Sequence, residues 1–179
     1  MNMFYLSTRH QECAEWSVNS HCVKMILESA QLLSTAHRVL DGVQYIDASS
    51  GRKIKRWRLD GGRDVYLYSA THVNHPSAVW CRESNNNYNW LWAYLDEHCH
   101  EYTRRYGKIH KCFQTDLAYM LQSPPNNLKE SDMTTMPSAM ADEYKISDDP
   151  LTNYRNYYII GKSRMHKWTN RQQPEWING

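Results

Sequence analysis

The sequence predicts a mainly α-helical, single-domain bundle carrying a small β-hairpin insertion. Three observations lead there. Polar residues recur at steps of three and four from His21 to Arg38 within an otherwise apolar run, the period of one helix face. A second stretch opens on Asn74-His75-Pro76 and closes on Gly107, the proline-first, glycine-last asymmetry of a helix. Between them, VQYID and KIKRWRL flank the turn-forming SSGR, as hairpin strands do.

Taken in order, Met3 to Leu6 read as a short strand and His10 to Val18 as a short helix. Ser20 is suited to cap a helix that runs to about Leu40, where Asp41-Gly42 stops it. Residues 43–68 read as one or two hairpins, the second formed by VYLYS after the turn DGGR. The next helix covers roughly 30 residues from Pro76, or about 45 Å at 1.5 Å each. The run Asn85-Asn86-Asn87 is where it should kink or break, because Asn is a weak helix former. Residues 112–148, with SPPNN and TTMPSAM, are irregular, and a stretch of that length is expected to wrap a surface or serve function. Asp149-Pro150 opens a last helix to about Trp168, and RQQPEW gives an aromatic tail.

At 179 residues, one domain of residues 1–179 is favoured, with enough chain to bury a core without disulfides. Hydrophobic residues at 41% against 22% charged exclude a disordered chain. No apolar run reaches the length of a membrane span, and the N-terminal residues lack a secretory profile. Five irregularly spaced cysteines argue against a disulfide framework and for a reducing cytoplasm. Tyr and Trp, at 13 and 7, far outnumber the 2 Phe. That balance suits a wet aromatic core or a pocket for a flat polar ligand such as a nucleobase.

The net charge is +2, but Arg52, Lys53, Lys55, Arg56 and Arg58 form one basic stretch. Without them 16 basic residues face 19 acidic ones. A protein that tracks a duplex carries a broad basic face, so a small anionic ligand or a short nucleic-acid footprint is the better match. An edge strand kept soluble by its charges is the plain alternative.

The polar stripe comprises His21, Lys24, Glu28, Gln31, Thr35 and Arg38. A narrow polar seam on a widely apolar helix suits the wall of a cleft, though an amphipathic surface helix has the same pattern. Glu28 sits mid-seam, one turn from Lys24. Ionised, it can orient water or stabilise a cationic transition state; protonated, it can donate to a leaving group. His21 and Lys24 are placed to hold a phosphate. A second constellation spans residues 71–84. His72, Asn74 and His75 precede a helix N-terminus, where free N–H groups attract anions. Trp80, Ser84 and Asn87 then share a face on which Trp80 can stack on a base and Asn87 read its edge; capping and packing explain the same residues. Arg82 and Arg105 are further phosphate candidates, although cations near a helix C-terminus such as Arg105 need no ligand. Nine His and five Cys show neither a CxxC pair nor an HExxH helix, so no metal site is expected.

The patterns MN-x-F at the start, HxVKMxLESAQLL at 21–33, ATHxNHPSxxW at 70–80, EYTxRYGK at 101–108 and DDP…YRNYY…PEW at 148–176 resemble a family of small bacteriophage proteins across nearly the whole chain. The basic hairpin looks like an insertion relative to shorter members. A more distant resemblance is to the phage pyrimidine-dimer DNA glycosylase, endonuclease V. Its essential glutamate follows a histidine by seven residues on an early helix, the interval kept here by His21 and Glu28. That resemblance implies N-glycosidic bond cleavage with Glu28 as the matching carboxylate. It departs at the N-terminus: the glycosylase uses an amine freed by Met removal, and here the large Asn2 follows Met1. The expectation is therefore an enzyme, a metal-independent N-glycosidase with no cofactor, hydrolysing the base–sugar bond of a nucleotide by water oriented on Glu28. His72 or His75 would act on the leaving base, and His21, Lys24, Gln31, Asn74, Trp80, Arg82, Ser84, Asn87 and Arg105 would bind substrate. The charge balance tilts the substrate toward a small nucleotide, such as a cyclic-dinucleotide signal of host antiphage defence. The alternatives are a DNA base-excision glycosylase, and a non-catalytic nucleotide sponge or inhibitor of a host protein. No membrane partner is expected.

Overall fold

A computed structural model describes residues 1–178. Its helices are α1 (His10–Trp16), α2 (Asn19–Asp41), α3 (Gly62–Tyr66), α4 (Pro76–Cys81), α5 (Asn85–Tyr106), α6 (Lys111–Gln114), α7 (Asp116–Leu121) and α8 (Pro150–Gly161). Two strands, β1 (Val43–Asp47) and β2 (Ile54–Arg58), pair antiparallel with Val43 opposite Arg58 and Asp47 opposite Ile54. The chain is thus mainly helical with one small hairpin. α2 and α5 make the most extensive helix pair, α1 packs on α5, and α4 packs on α2. Met25, Ile26, Leu32 and Leu33 of α2 meet Tyr88, Leu91 and Tyr94 of α5 in one core that also takes Trp80, Tyr154 and Tyr158. Among the described residues no helix is long and apolar enough to cross a membrane, and all five cysteines are buried and free.

The α2 boundaries fall where the apolar periodicity places them, but Val18, not Ser20, occupies the N-cap position and supplies no side-chain bond. The Tyr158 hydroxyl accepts the Val18 N–H instead, at 3.2 Å. The expected second hairpin does not form. Gly61 adopts φ 58° and ψ −144°, a conformation that disfavours any residue with a Cβ, and the chain turns into α3. The buried Arg38 guanidinium then donates to the carbonyls of Trp57, Asp64, Leu67 and Tyr68 and to the Asp64 carboxylate, at 2.6–2.9 Å. Those carbonyls are spent on a side chain and cannot build a ladder, so VYLYS has no strand partner. Arg38 is a bracket for the hairpin, not part of an open seam.

The long second helix breaks, three residues ahead of the Asn run. Arg82 folds its guanidinium onto the carbonyls of Ala78 and Val73, both at 2.9 Å. Ser84 then caps α5 by accepting the Asn87 N–H at 3.0 Å. The three asparagines form the first turn of α5, where Asn costs least. Residues 122–141 wrap this corner without regular structure: the Ser131 N–H donates to Asn85 Oδ1, and the Thr134 N–H to Asn87 Oδ1. The irregular segment 112–148 also holds α6, α7 and a 3-10 turn at Asp142–Tyr144. α8 starts as expected, Asp149 accepting from the N–H groups of Leu151 and Thr152. It ends at Gly161, well before Trp168.

Residues 3–6 make no strand. Their backbone groups are claimed by side chains from several elements: the Phe4 N–H donates to the Tyr94 hydroxyl at 3.2 Å, and the Leu6 carbonyl accepts from Arg155 Nε at 2.9 Å. Met3, Phe4 and Leu6 are buried, so the segment is a core plug that runs over α2.

Candidate functional site

The stripe on α2 and the segments laid over it define the site. Glu28 lies two turns before Thr35, with its side chain only 10% exposed. The N–H of Asn2 donates to its Oε2 at 2.8 Å. Lys24 Nζ stands 3.2 Å from Oε1 and the Met1 nitrogen 4.0 Å from it. Asn2 is itself fixed: its amide donates to the Ala139 carbonyl, and its Oδ1 accepts from the Tyr154 hydroxyl, both at 3.0 Å. One carboxylate is thus held by a backbone N–H and two cationic nitrogens, one of which, Lys24, is exposed.

The second wall is the segment leading into α4. Thr71 is tied to α2: its N–H donates to Thr35 Oγ1 at 3.2 Å, while that hydroxyl donates to the Gln31 carbonyl at 2.7 Å. His72 follows with φ 48°, an uncommon conformation for a residue with a Cβ. Its Nδ1 lies 2.7 Å from Thr71 Oγ1. His75 caps α4 through Nδ1, which accepts the Ser77 N–H at 3.2 Å. That bond assigns the neutral ring its proton on Nε2. Burial lowers the His75 pKa from its usual value, the nearby Met1 nitrogen and His72 lower it further, and Glu28 opposes them. Near neutral pH His75 is therefore held in its uncharged form, with a donor on Nε2. α4 has only six residues, so no long helix dipole stands behind this segment.

No known family, functionally described protein or solved structure matches the chain.

The structure pairs Glu28 with Lys24 and places His75 near enough to feel the Glu28 charge, with His72 in the same turn as His75, whose N–H donates to the His72 carbonyl. Gln31 is half-buried and Asn74 exposed. The structure separates the remaining expected site residues from these. His21 is 3% exposed, its ring stacked 4.0 Å from Phe4 and its Nδ1 2.7 Å from the Tyr158 hydroxyl. Burial, with Lys162 and Lys24 nearby, drives its pKa down to about 3, so it is a neutral support and cannot hold phosphate. Trp80 is a core residue whose Nε1 donates to the Thr134 carbonyl at 3.1 Å; no face is open for a base. Asn87 is fully enclosed and donates to the carbonyl of Trp80 and the hydroxyl of Thr134. Ser84 is the α5 cap, and Arg82 a brace between Ala78 and Val73. Arg105 pairs with Glu101 at 2.6 Å and donates to the carbonyls of Ala14, Glu15 and Ser17, leaving nothing for a phosphate. In each case a polar group on an inward face is satisfied by backbone or by a neighbouring side chain, as buried polar groups are.

Met1, Asn2, Thr71 and Tyr154 are the site members that spacing does not reveal. Asn2 and Glu28 are 26 residues apart and Asn2 and Tyr154 are 152, so no local period links them. Among the described residues no group of three or more His, Cys, Asp or Glu is close enough to hold a metal ion.

Proposed function

We propose that the protein is an N-glycosidase that hydrolyses the base–sugar bond of a nucleotide at Glu28. The observation that carries this is the enclosed Glu28 carboxylate, gripped by the Asn2 N–H and Lys24, with His75 near enough to feel its charge. Cleaving an N-glycosidic bond builds positive charge on the sugar and negative charge on the leaving base. A fixed carboxylate lowers the energy of the first and orients the attacking water. The Nε2–H of His75 suits the second, as a hydrogen-bond donor to the base; His72 is the neighbouring candidate for the same role. Lys24, mostly exposed at the rim, suits a phosphate. The seven-residue interval between His21 and Glu28 agrees with the glycosylase resemblance, and the reading needs no metal or cofactor.

A DNA base-excision glycosylase is a second reading, favoured by one distance. The Asn2 nitrogen lies 2.8 Å from Glu28 Oε2, so an amine exposed there by loss of Met1 would adjoin the carboxylate and could form a Schiff base with the sugar. The basic hairpin, its strands mostly exposed, would then grip the backbone.

Incubation with mono-, cyclic and oligonucleotides, with free base followed by chromatography, tests the first reading. Base release with the phosphodiester left intact supports it, and no free base from any substrate refutes it. Borohydride present during turnover separates the second reading: a trapped adduct on residue 1 or 2, or nicking as fast as base loss, selects the amine route and DNA.

A further inference from the structure

A concavity lies away from Glu28. It measures about 810 Å³ and lies between the end of α1, the exposed flank of α8 and the C-terminal tail. Its walls include Trp16, Arg155, Gln172, Gln173, Glu175 and Trp176, none of which contacts Glu28.

Arg155 is its central feature. The guanidinium carbon lies 5.3 Å from the ring centres of both Trp16 and Trp176, so two indoles hold the group in place. Its Nε is bound to the Leu6 carbonyl. Neither Nη makes a hydrogen bond or ion pair among the described residues. The other arginine in the wall, Arg171, is instead spent on Glu101 and Glu15, at 2.7 and 3.1 Å. Among the described residues a second donor is also without a partner: the Trp176 Nε1–H is shielded from solvent and finds no acceptor there. Buried polar groups rarely go unpaired.

We propose that this concavity binds a small ligand carrying a phosphate or carboxylate next to a flat ring. The two Nη groups of Arg155 form the planar fork that takes such an anion in a bidentate manner. The indoles of Trp16 and Trp176 pack edge to face, 5.9 Å apart, and their half-exposed parts give an apolar surface beside the fork on which a ring can lie; Gln172 and Gln173 bring side-chain amides to the rim. The volume falls within the 300–1,000 Å³ common for ligand sites. Glu15 in the wall is already paired with Arg171, so the exposed Glu175 is the acid there that would repel an anion.

The test is titration of the full chain with inorganic phosphate, adenosine monophosphate, benzoate and uncharged adenosine, read by calorimetry and tryptophan fluorescence. The phosphate-bearing and carboxylate-bearing rings separate the two anion sources, and adenosine controls for the ring alone. Saturable binding of either ring-bearing anion, weakened at least about tenfold in Arg155→Gln, is the expected result. Arg155→Gln also loses the bond to Leu6, so its fold is checked by circular dichroism. Glu175→Gln, at an exposed position, gives an independent arm and should tighten the same binding about two- to threefold. Absence of binding by both anions, binding unchanged in both variants, or equal binding of adenosine overturns the proposal. Adenosine monophosphate binding that survives Arg155→Gln in a folded protein lies at another site and overturns it as well.

Discussion

Glu28→Gln removes one negative charge and almost no volume, and the structure allows its effects on fold and chemistry to be separated. The glutamine carbonyl can still accept the Asn2 N–H that Glu28 accepts at 2.8 Å. What disappears is attraction to Lys24 and to the Met1 nitrogen. The Lys24 side chain is 64% exposed, so that pair contributes at most about 1 kcal/mol. The whole substitution should cost the fold about 1–2 kcal/mol, or roughly 2–8 °C in Tm for a chain of this size. The chemical step should suffer far more. Loss of a positioned acid–base group slows reactions about 10²–10⁴-fold, equivalent to about 2.7–5.4 kcal/mol on the barrier. Time courses of base release, run beside nucleotide binding and thermal melts, report the three quantities. Slow release with retained binding and a small drop in Tm is expected. Turnover within about threefold of the parent, in a folded protein, would show that Glu28 only anchors the N-terminal segment.

Three other outcomes follow from the same geometry. Burial pushes the His21 pKa down to about 3 and those of His37 and His98 to about 4, from 6.5. The unfolded chain therefore takes up protons below pH 6.5 that the native one refuses. Stability should be full above that pH and fall as pH drops toward 4, by up to about 1.4 kcal/mol per pH unit for each histidine; equal urea midpoints at pH 7.5 and 5 would contradict this. Asn87→Ala strands the Thr134 N–H and should cost about 2–4 kcal/mol while leaving nucleotide affinity unchanged, as denaturant curves and calorimetry would show. Neutralising Arg52, Lys53, Lys55, Arg56 and Arg58 together should flatten the salt dependence of any duplex binding and leave base release from mononucleotides intact; loss of that activity would place the hairpin in the site.

The helices were legible wherever one face had to be apolar over several turns. α2 and α5 each carry that period, and Gly107, in the left-handed conformation at φ 65°, ends α5 where a glycine was expected to. The first hairpin followed from its turn residues. Misreadings arose where a side chain outcompeted a regular partner. Arg38 took the carbonyls that VYLYS needed, and Ser84 offered a cap that split one long helix into α4 and α5. The first event has no local signature, because Arg38 acts on residues 19–30 positions away; the second is local, Ser84 accepting the Asn87 N–H three residues on, but it competes with an uninterrupted helix of the same apolar period. The same blindness affected the site. Helical spacing correctly put Lys24 and Glu28 one turn apart, but it cannot say which stripe residues lie beneath another segment. Asn87 and Arg105 looked like ligand groups because polar side chains on a helix are ambiguous until the backbone they satisfy is known.

The His21–Glu28 interval shows how architecture and chemistry share one pattern. Seven residues of helix are about 10.5 Å, and both side chains fall on the same stripe. The N-terminal segment lies along that stripe antiparallel to α2: Asn2 meets Glu28, and Phe4 stacks on His21. Burial holds the His21 pKa down to about 3, so near neutral pH its uncharged ring seats Phe4 and, through Tyr158, ties the start of α2 to α8. α8 closes the circuit by holding Asn2 through Tyr154 and Leu6 through Arg155. The carboxylate environment is thus set by a segment clamped at three points along its length. A histidine at this interval serves as the floor that keeps the N-terminal segment over the glutamate, a structural part that needs no charge on its ring.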